Sequence, residues 1–380
     1  MPHVISTSGR KSYRGCRRRW DWLFNGYYYP KTTAKPLEFG IAYHKAMEIY
    51  YAPAQWGQPR EVMAALAIQE FIHRCEKQRA ICLANKDEVR LEPEVQKDYD
   101  ERVQLGIGML KYHLETIAPV ADIGFKPLKV ELRAQIPITN PDTGEILRCM
   151  RNPCSHSPED NVVEYVIRID CLAEDTNGDY WIVDWKTAAR INEDGKFLEL
   201  DDQIGSYVWV FRSIGVPVRG FLYHEQKKAY PMAPNENAHV RKGCLFSVSK
   251  TQDTDYETYR AHVAANDSDA YENGYYNDFL FWLQEQGVTY HKRFQVHKSD
   301  RQIASIGQNI YQEAFEMVNP ATLMYPSPGR FSCDSCAFRT PCIMRENGED
   351  YKYTLNSLFE KRKIHYYDAV ESSTDNKAGK

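Results

Sequence analysis

Asp170, Asp184 and Lys186 are the first residues whose types and spacing could do chemistry. Asp170 lies near the end of VVEYVIRIDCL, and Asp184 and Lys186 lie in YWIVDWK. Both runs read as strands, rich in β-branched and aromatic residues. Strand side chains alternate between faces, so Asp184 and Lys186 share one. Where Asp170 points depends on the intervening turn. A two-residue Asn177-Gly178 turn pairs residues summing to 355 and turns Asp170 away. A three-residue loop, Thr176-Asn177-Gly178, pairs residues summing to 354 and sets Asp170 opposite Asp184. Gly178 suits the left-handed third position of that loop. The expectation is a three- or five-residue loop centred on Asn177. Opposed side chains have Cβ atoms ~4.5–5.5 Å apart. Carboxylates at that spacing repel unless a cation lies between them, and such hard oxygen ligands favour Mg²⁺ or Mn²⁺. A plain salt bridge of Lys186 with one Asp is the competing reading.

Further polar residues surround this pair in the chain. His44 follows Gly40 by four positions on a helical run. Gln203 and Tyr207 stand at i and i+4, on one helix face. Glu131 lies in an earlier strand, where alternation aims it either way. Cys333, Cys336 and Cys342 have the spacing C-x2-C-x5-C in PGRFSCDSCAFRTPC, a segment rich in turn residues. Three thiols so close cannot all pair in one disulfide system. A metal or cluster needs a fourth ligand, and Cys16 has the most suggestive setting. Spacing alone leaves zinc and an iron–sulfur cluster equally open. Cys75, Cys82, Cys149, Cys154, Cys171 and Cys244 read as structural or incidental.

These residues need elements to hold them. Residues 37–51, 61–84 and 94–118 read as helices. Residues 127–138, 162–172, 180–186 and 218–225 read as strands. A helix should start at Asp201 or Asp202, capped by that pair, and stop at Gly215. The order is helix, three strands, helix, strand, with the last helix long enough to cross over to a parallel strand. The fold class expected is therefore α/β with a mixed central sheet. The stretch 139–161 is mostly loop, 226–253 is ambiguous, and 254–286 and 301–318 read as helical. Residues 346–380 are polar and expected to form a tail.

Residues 10–19, RKSYRGCRRR, hold the densest basic run, followed by the aromatic-rich WDWLFNGYYY. They read either as a solvated face before a core helix or as a phosphate-contacting segment with stacking rings. Arg14, Arg17, Arg18 and Arg19 are the candidate phosphate contacts, and Tyr27, Tyr28 and Tyr29 the candidate rings.

Composition narrows the classes. The chain has 380 residues, 43% hydrophobic and 26% charged, with 48 basic and 52 acidic residues and a net charge of −4. Global disorder and a generally basic nucleic-acid binder are excluded, though a local basic patch is not. No apolar run approaches the ~20 residues that span a bilayer. The start lacks the apolar centre of a secretory signal, so the cytoplasm is the expected compartment. No G-x4-G-K-[ST] run occurs, which disfavours a P-loop motor.

Six pieces in order carry a family resemblance: Cys16 in SYRGCRRRWDW, His44 in GIAYH, Asp170 in RID, Asp184 and Lys186 in VDWKT, Gln203 and Tyr207 in QIGSY, and the terminal cysteine trio. The chain resembles the PD-(D/E)XK nuclease superfamily over residues 12–342, about nine tenths of its length. It is most similar to RecB-type exonucleases with an iron–sulfur clasp, a branch that includes CRISPR-adaptation exonucleases and stand-alone phage proteins. The resemblance implies a restriction-endonuclease-like αβββαβ core with helical insertions and a C-terminal iron–sulfur clasp. It implies one nuclease domain over 1–345: a basic, aromatic segment (1–36), a core (37–225) with a helical insertion (61–118), additional elements (226–330) and the clasp (331–345).

The resemblance also implies roles. His44, Asp170 and Asp184 would ligate Mg²⁺ or Mn²⁺, with the carbonyl of Trp185 a further ligand. Lys186 would position or activate the attacking water. Gln203 and Tyr207 would brace the site or touch DNA. Cys16, Cys333, Cys336 and Cys342 would bind a 4Fe-4S cluster of structural role, with zinc as the lesser alternative. The expected activity is exonucleolytic DNA hydrolysis, on single strands or duplex ends, in phage or mobile-element recombination, repair or processing. An endonuclease or flap nuclease on the same site and a non-catalytic DNA-binding module are the alternatives. CRISPR-type or recombination partner proteins would follow from the same likeness.

Overall fold

Alternating buried residues in one strand and a continuous buried run in the next make the centre of a mixed six-stranded sheet. The computed structural model describes residues 3–31, 35–84, 90–150, 161–192, 194–241 and 243–361. Strand β1 (His3–Ser6) leads into α1 (Thr7–Gly15), α2 (Arg17–Trp20) and β2 (Tyr28–Pro30). Helices α3 (Lys35–Tyr50), α4 (Arg60–Ala84), α5 (Glu92–Lys111) and the short α6 (Ala118–Ala121) follow. Then come β3 (Lys126–Pro137), β4 (Val163–Glu174), β5 (Tyr180–Ala188), α7 (Asp202–Ser213) and β6 (Val218–Lys227). Next are β7 (Glu236–Arg241), β8 (Cys244–Phe246), α8 (Tyr256–Asn266), α9 (Ser268–Glu272), α10 (Asn277–Gln286) and β9 (His291–Val296). The chain closes with α11 (Asp300–Val318), α12 (Arg330–Asp334), α13 (Arg339–Glu346), α14 (Tyr351–Leu358) and β10 (Phe359–Lys361).

β3, β4 and β5 are antiparallel neighbours, and α7 crosses over to β6, which runs parallel to β5. The expected order of helix, three strands, helix and strand holds. Two strands join it that the sequence pattern did not reveal. β1 lies parallel to the start of β4, and β9 lies antiparallel to β6.

The pairing of β4 has a geometric consequence. Glu164 pairs with Pro137 of β3 and Val4 of β1, while Ala173 pairs with Pro127 of β3 and Trp181 of β5. A strand has two edges, so β1 and β5 share the edge that β3 does not use. β1 holds residues 163–166 there and β5 holds 171–174, and neither ladder reaches 167–170. The sheet forks at that level.

The fork coincides with a change of face. Ile167 and Ile169 enter the core beneath α7 and α11, whereas Cys171 and Ala173 enter the core beneath α3, α4 and α5. On β3, Leu132 and Ala134 join the first core and Val130 the second. Strict alternation would keep Ile169 and Cys171 together. Both strands therefore swap faces at one level, at Asp170 and at Glu131, which the register sets opposite it.

The N-terminal helices are held by charge as well as apolar contact. Arg10 is fully buried and donates to Asp202 at 2.8 Å and Glu313 at 2.7 Å. Breaking a buried pair of this kind costs about 3–5 kcal/mol. The basic run is thus partly a structural bolt between α1, α7 and α11.

Residues 226–330 divide into two parts. β7, β8, α8, α9 and α10 surround a small core of their own that includes Phe246, Tyr259, Tyr276 and Phe279. β9 and α11 belong to the main sheet and its first core. The expected single helical stretch over 254–286 is interrupted where Gly274 adopts φ +76. The expected tail is corrected for 346–361. Leu355 and Phe359 are buried with Trp22 and Phe338, and β10 pairs with β2. The apolar residues of that stretch find partners at the opposite end of the chain. Residues 151–160, with Cys154, and 362–380 lie outside the described residues. Among the described residues, no helix is long and apolar enough to cross a membrane.

Candidate active site

The β4–β5 hairpin fixes the acids. Cys171 faces Val183, Leu172 faces Ile182, Ala173 faces Trp181 and Glu174 faces Tyr180, each pair summing to 354. Asp175 N–H donates to the Asp179 carbonyl at 3.0 Å, and Gly178 takes φ +81. This is the register expected from the longer turn, and it brings Asp170 beside Asp184. There the strands part. The Trp185 N–H donates to Oδ2 of Asp170 at 2.9 Å instead of to a strand carbonyl.

Other elements bring their groups to the fork. His44, on α3, places Nδ1 3.3 Å from Oδ2 of Asp170. Lys186 places Nζ 2.8 Å from Oδ1 of Asp184 and 2.6 Å from Oδ2. Its approach to Oδ2 makes no hydrogen bond, so that buried oxygen has an ion-pair partner but no well-aligned donor. Asp201 caps α7 by accepting from the Ile204 N–H, which presents Gln203 to the acids. Gln203 Nε2 lies 3.4 Å from Asp184 Oδ1 and 3.1 Å from the Tyr207 hydroxyl. The Trp185 ring points to the opposite face, stacked on Tyr51 at 4.6 Å.

The electrostatics divide the acids. Burial alone would raise both. At Asp170, His44, Lys186 and the Trp185 N–H overcome it and hold the carboxyl below its usual range. At Asp184, burial and the neighbouring Asp170 charge outweigh Lys186, and the carboxyl is raised. Burial would lower Lys186, but Asp184 and Asp170 raise it, so its ammonium stays protonated. His44 is likewise raised, because Asp170 outweighs its burial.

Among the described residues, no group of three or more His, Cys, Asp or Glu side chains is drawn together as a metal shell. Asp184 closes on the Lys186 ammonium instead. The donor set nevertheless has the right chemistry for a hard divalent cation: two carboxylates, one imidazole and a buried carboxylate oxygen lacking a well-aligned donor.

Glu131 is the residue that sequence patterns left undecided. It sits opposite Asp170 with φ +48, a left-handed backbone that only Tyr27 shares among the described non-glycine residues. Burial and the Asp170 charge raise its carboxyl, and Arg168 Nε lies 3.4 Å away. Such a conformation costs roughly 1–3 kcal/mol and persists where surroundings enforce it. Glycine would relieve it, less the ~0.5–1 kcal/mol of its own backbone entropy. Glu131→Gly should therefore be no less stable than the parent, and more stable by up to about 2 kcal/mol, while cleavage falls. Glu131→Gln should slow cleavage without a stability gain. Full cleavage by both variants would reduce Glu131 to a structural kink.

Behind Trp185 lies a buried histidine cluster. His224 Nδ1 and His291 Nε2 are 3.2 Å apart, and His113 packs on both rings at 6.1 and 5.5 Å. Tyr51 bonds to His113 at 3.2 Å and to Asp122 at 2.7 Å. Burial pushes all three imidazoles down, His291 to about 4. An unfolded histidine titrates near ~6.5, so acid favours the unfolded chain. Stability is full above pH ~6.5 and is lost as pH falls toward the folded values; His291 alone accounts for about 3 kcal/mol by pH 4. Asp122, raised to about 6 by burial, returns a similar amount over the same window. His113 and His224, pushed down with His291, add to the loss, and the raised Asp184, Glu131 and His44 offset part of it. The melting temperature should drop between pH 6.5 and 5, and His291→Phe should flatten part of the drop. A flat wild-type profile would contradict three neutral buried imidazoles.

The cysteines lie at the junction of the chain ends. Cys16 Sγ accepts from the Ser327 N–H at 3.5 Å, Cys333 Sγ from the Gly329 N–H at 3.4 Å, and Cys342 Sγ from Arg18 at 3.6 Å. Burial raises the Cys336 thiol, with Cys16 and Cys333 near enough to add to it. Cys16 and Cys333 thus lie near Cys336, and Cys342 packs against the same apolar cluster as Cys336, but among the described residues they are not closed into a coordination shell. Cys75, Cys149, Cys171 and Cys244 are buried elsewhere, and Cys82 is half-buried.

The arginine expectation is corrected in part. Arg18 is buried against Glu346 and cannot follow a DNA backbone. Arg17 pairs with Glu316 at 2.6 Å, and Arg14 with Asp202 at 2.9 Å. Arg19 is exposed. Acids far along the chain claim most of this basic run. Tyr29 is buried, leaving Tyr27 and Tyr28 more open.

Compared with known families, the chain matches the model of the PD-(D/E)XK nuclease superfamily over residues 4–343. No curated protein matches it.

Proposed function

The chain belongs to the PD-(D/E)XK nuclease superfamily, and from that premise we propose that it is a metal-dependent DNA exonuclease. The coarser part, a nuclease of a class that typically uses Mg²⁺ or Mn²⁺, follows from the family. The observation that carries the catalytic reading is the meeting of Asp170, Asp184, Lys186 and His44 at the fork of the sheet. The six-part likeness to RecB-type exonucleases supports cutting from ends, in phage or mobile-element DNA recombination, repair or processing. The whole of 1–345 is taken as one elaborated nuclease domain, with 346–361 folded back onto it.

His44, Asp170, Asp184 and the Trp185 carbonyl would hold the metal. When bound, it neutralises phosphate charge and acidifies a coordinated water. Lys186 stays protonated between the acids, so it acts as a donor rather than a base. It orients the attacking oxygen and meets charge developing on the phosphoryl group. Gln203 holds Asp184 in place and receives support from Tyr207. Burial keeps the Tyr207 phenol protonated. The four cysteines Cys16, Cys333, Cys336 and Cys342 are proposed to hold a 4Fe-4S cluster of structural role. The N–H donors at three of the sulfurs support that reading.

The test is cleavage of end-labelled single and double strands with Mg²⁺, against the same reactions in EDTA. Mononucleotides or short products released from ends, with closed circles left intact, are expected. Nicked or linearised circles would favour an endonuclease on the same site. No metal-dependent cleavage of any DNA would remove the catalytic reading.

A further inference from the structure

Just before α7, a short turn over 196–199 is held rigidly while it shows apolar side chains to solvent. Leu198 is fully buried. The buried Lys298 ammonium donates to the carbonyls of Leu198, at 3.0 Å, and Glu199. Gly195, at φ +62, lies so close to the Phe294 ring that a Cβ would come within 2.6 Å of it. These contacts fix Phe197 and Leu200, which are nevertheless 48% and 88% exposed. Rigid apolar side chains shown to solvent beside a site mark a contact surface.

The ring of Phe197 connects to the acids. It stands edge-on to Tyr223, with centroids 6.5 Å apart at 90°. Tyr223 is registered beside Asp184 across the β5–β6 pair, and Phe294 beside Tyr223 across β6–β9. Asp184, Tyr223 and Phe294 thus form one row on the α7 face of the sheet. The row runs from the acid pair to the rim where Phe197 sits. The turn offers little net positive charge, since Lys196 pairs with Asp194 at 3.2 Å and Glu199 lies beside it. What the turn offers a nucleic acid is an exposed aromatic face, on which any base can stack.

We infer that Phe197, seated on Tyr223 and flanked by Leu200, is a stacking surface for an unpaired nucleobase of the strand being cut. The inference rests on the nuclease reading and narrows its substrate to strands unpaired at the cut, either single strands or frayed ends. A base inside a duplex reaches the ring only after leaving its stack, whereas an unpaired base does not bear that cost.

The experiment uses the full chain carrying Asp184→Asn, so that bound DNA persists, and single-stranded oligonucleotides containing 2-aminopurine. Adding Phe197→Ala should lower single-strand affinity about tenfold, the effect of losing one base stack. It should leave blunt-duplex affinity and the melting temperature unchanged. Phe197→Trp should restore both affinity and fluorescence quenching. An alanine variant that binds single strands as its parent does, or loses both substrates equally, would overturn the stacking surface. Cleavage by the wild-type protein, assayed in parallel, separates the two readings. Cleavage without a Phe197 effect sinks the stacking surface alone, and absence of cleavage sinks the nuclease reading.

Discussion

Asp184→Asn should lower cleavage by about 10³-fold or more, beyond the usual loss from a single transition-state donor. The change keeps volume and leaves Gln203 a partner, so the fold should persist. Without metal, the variant should melt no lower than the wild type. A buried carboxyl raised above its ordinary value has a charge that costs stability, and that cost grows as pH climbs through its folded value. Asparagine removes the cost, and Asp170 remains to hold Lys186. Metal should reverse the order. At 100 times its dissociation constant, Mn²⁺ should stabilise the wild type by about 2.7 kcal/mol. It should stabilise the variant far less. Retained turnover, or equal stabilisation of both proteins by Mn²⁺, would sink the assignment of Asp184 to the metal.

Freshly purified protein should be brown, with broad absorption near ~400 nm from thiolate-bound iron. Cys16→Ser should bleach it as fully as Cys333→Ser, because either change opens the same cluster. Cys75→Ser should keep the colour, since Cys75 lies on α4 and is buried in the second core. The bleached variants should also lose solubility. The cluster would close a loop between Cys16 and Cys333, 317 residues apart. In the chain-entropy model, loop closure of that length contributes roughly 5–6 kcal/mol, a large share of a typical ~5–15 kcal/mol stability. Its loss would loosen Trp22 from Phe338 and Phe359 and expose those rings. A colourless protein with one zinc per chain would replace the cluster but keep the clasp. A brown Cys16→Ser protein would remove Cys16 from it.

Local chemistry made the hairpin legible. Asn177 and Gly178 specify a turn, the turn specifies the register, and the register brings Asp170 beside Asp184. The capped helix from Asp201 and the parallel strand after it were legible for the same reason. What stayed hidden depends on distant partners. β1 has four residues, too few for a periodic signal, and exists because β4 has a vacant edge. β9 reads HKRFQV, and its charged residues mask the alternation. The face change at Glu131 is a backbone event at a residue whose type does not announce it. Arg17 and Arg18 looked like a surface for phosphate because Glu316 and Glu346 lie about 300 residues away.

The pairing of β2 with β10 has a consequence for synthesis on the ribosome. Tyr28 and its strand partner Lys361 are 333 residues apart. At roughly 5–20 residues per second, the first strand waits about 15–65 s for the second to be made. Through that interval Trp22 and the open edge of β2 have no cover from their own chain. A nascent chain stalled before residue 351 should be held by chaperones or degraded, even with every residue of the catalytic fork already translated.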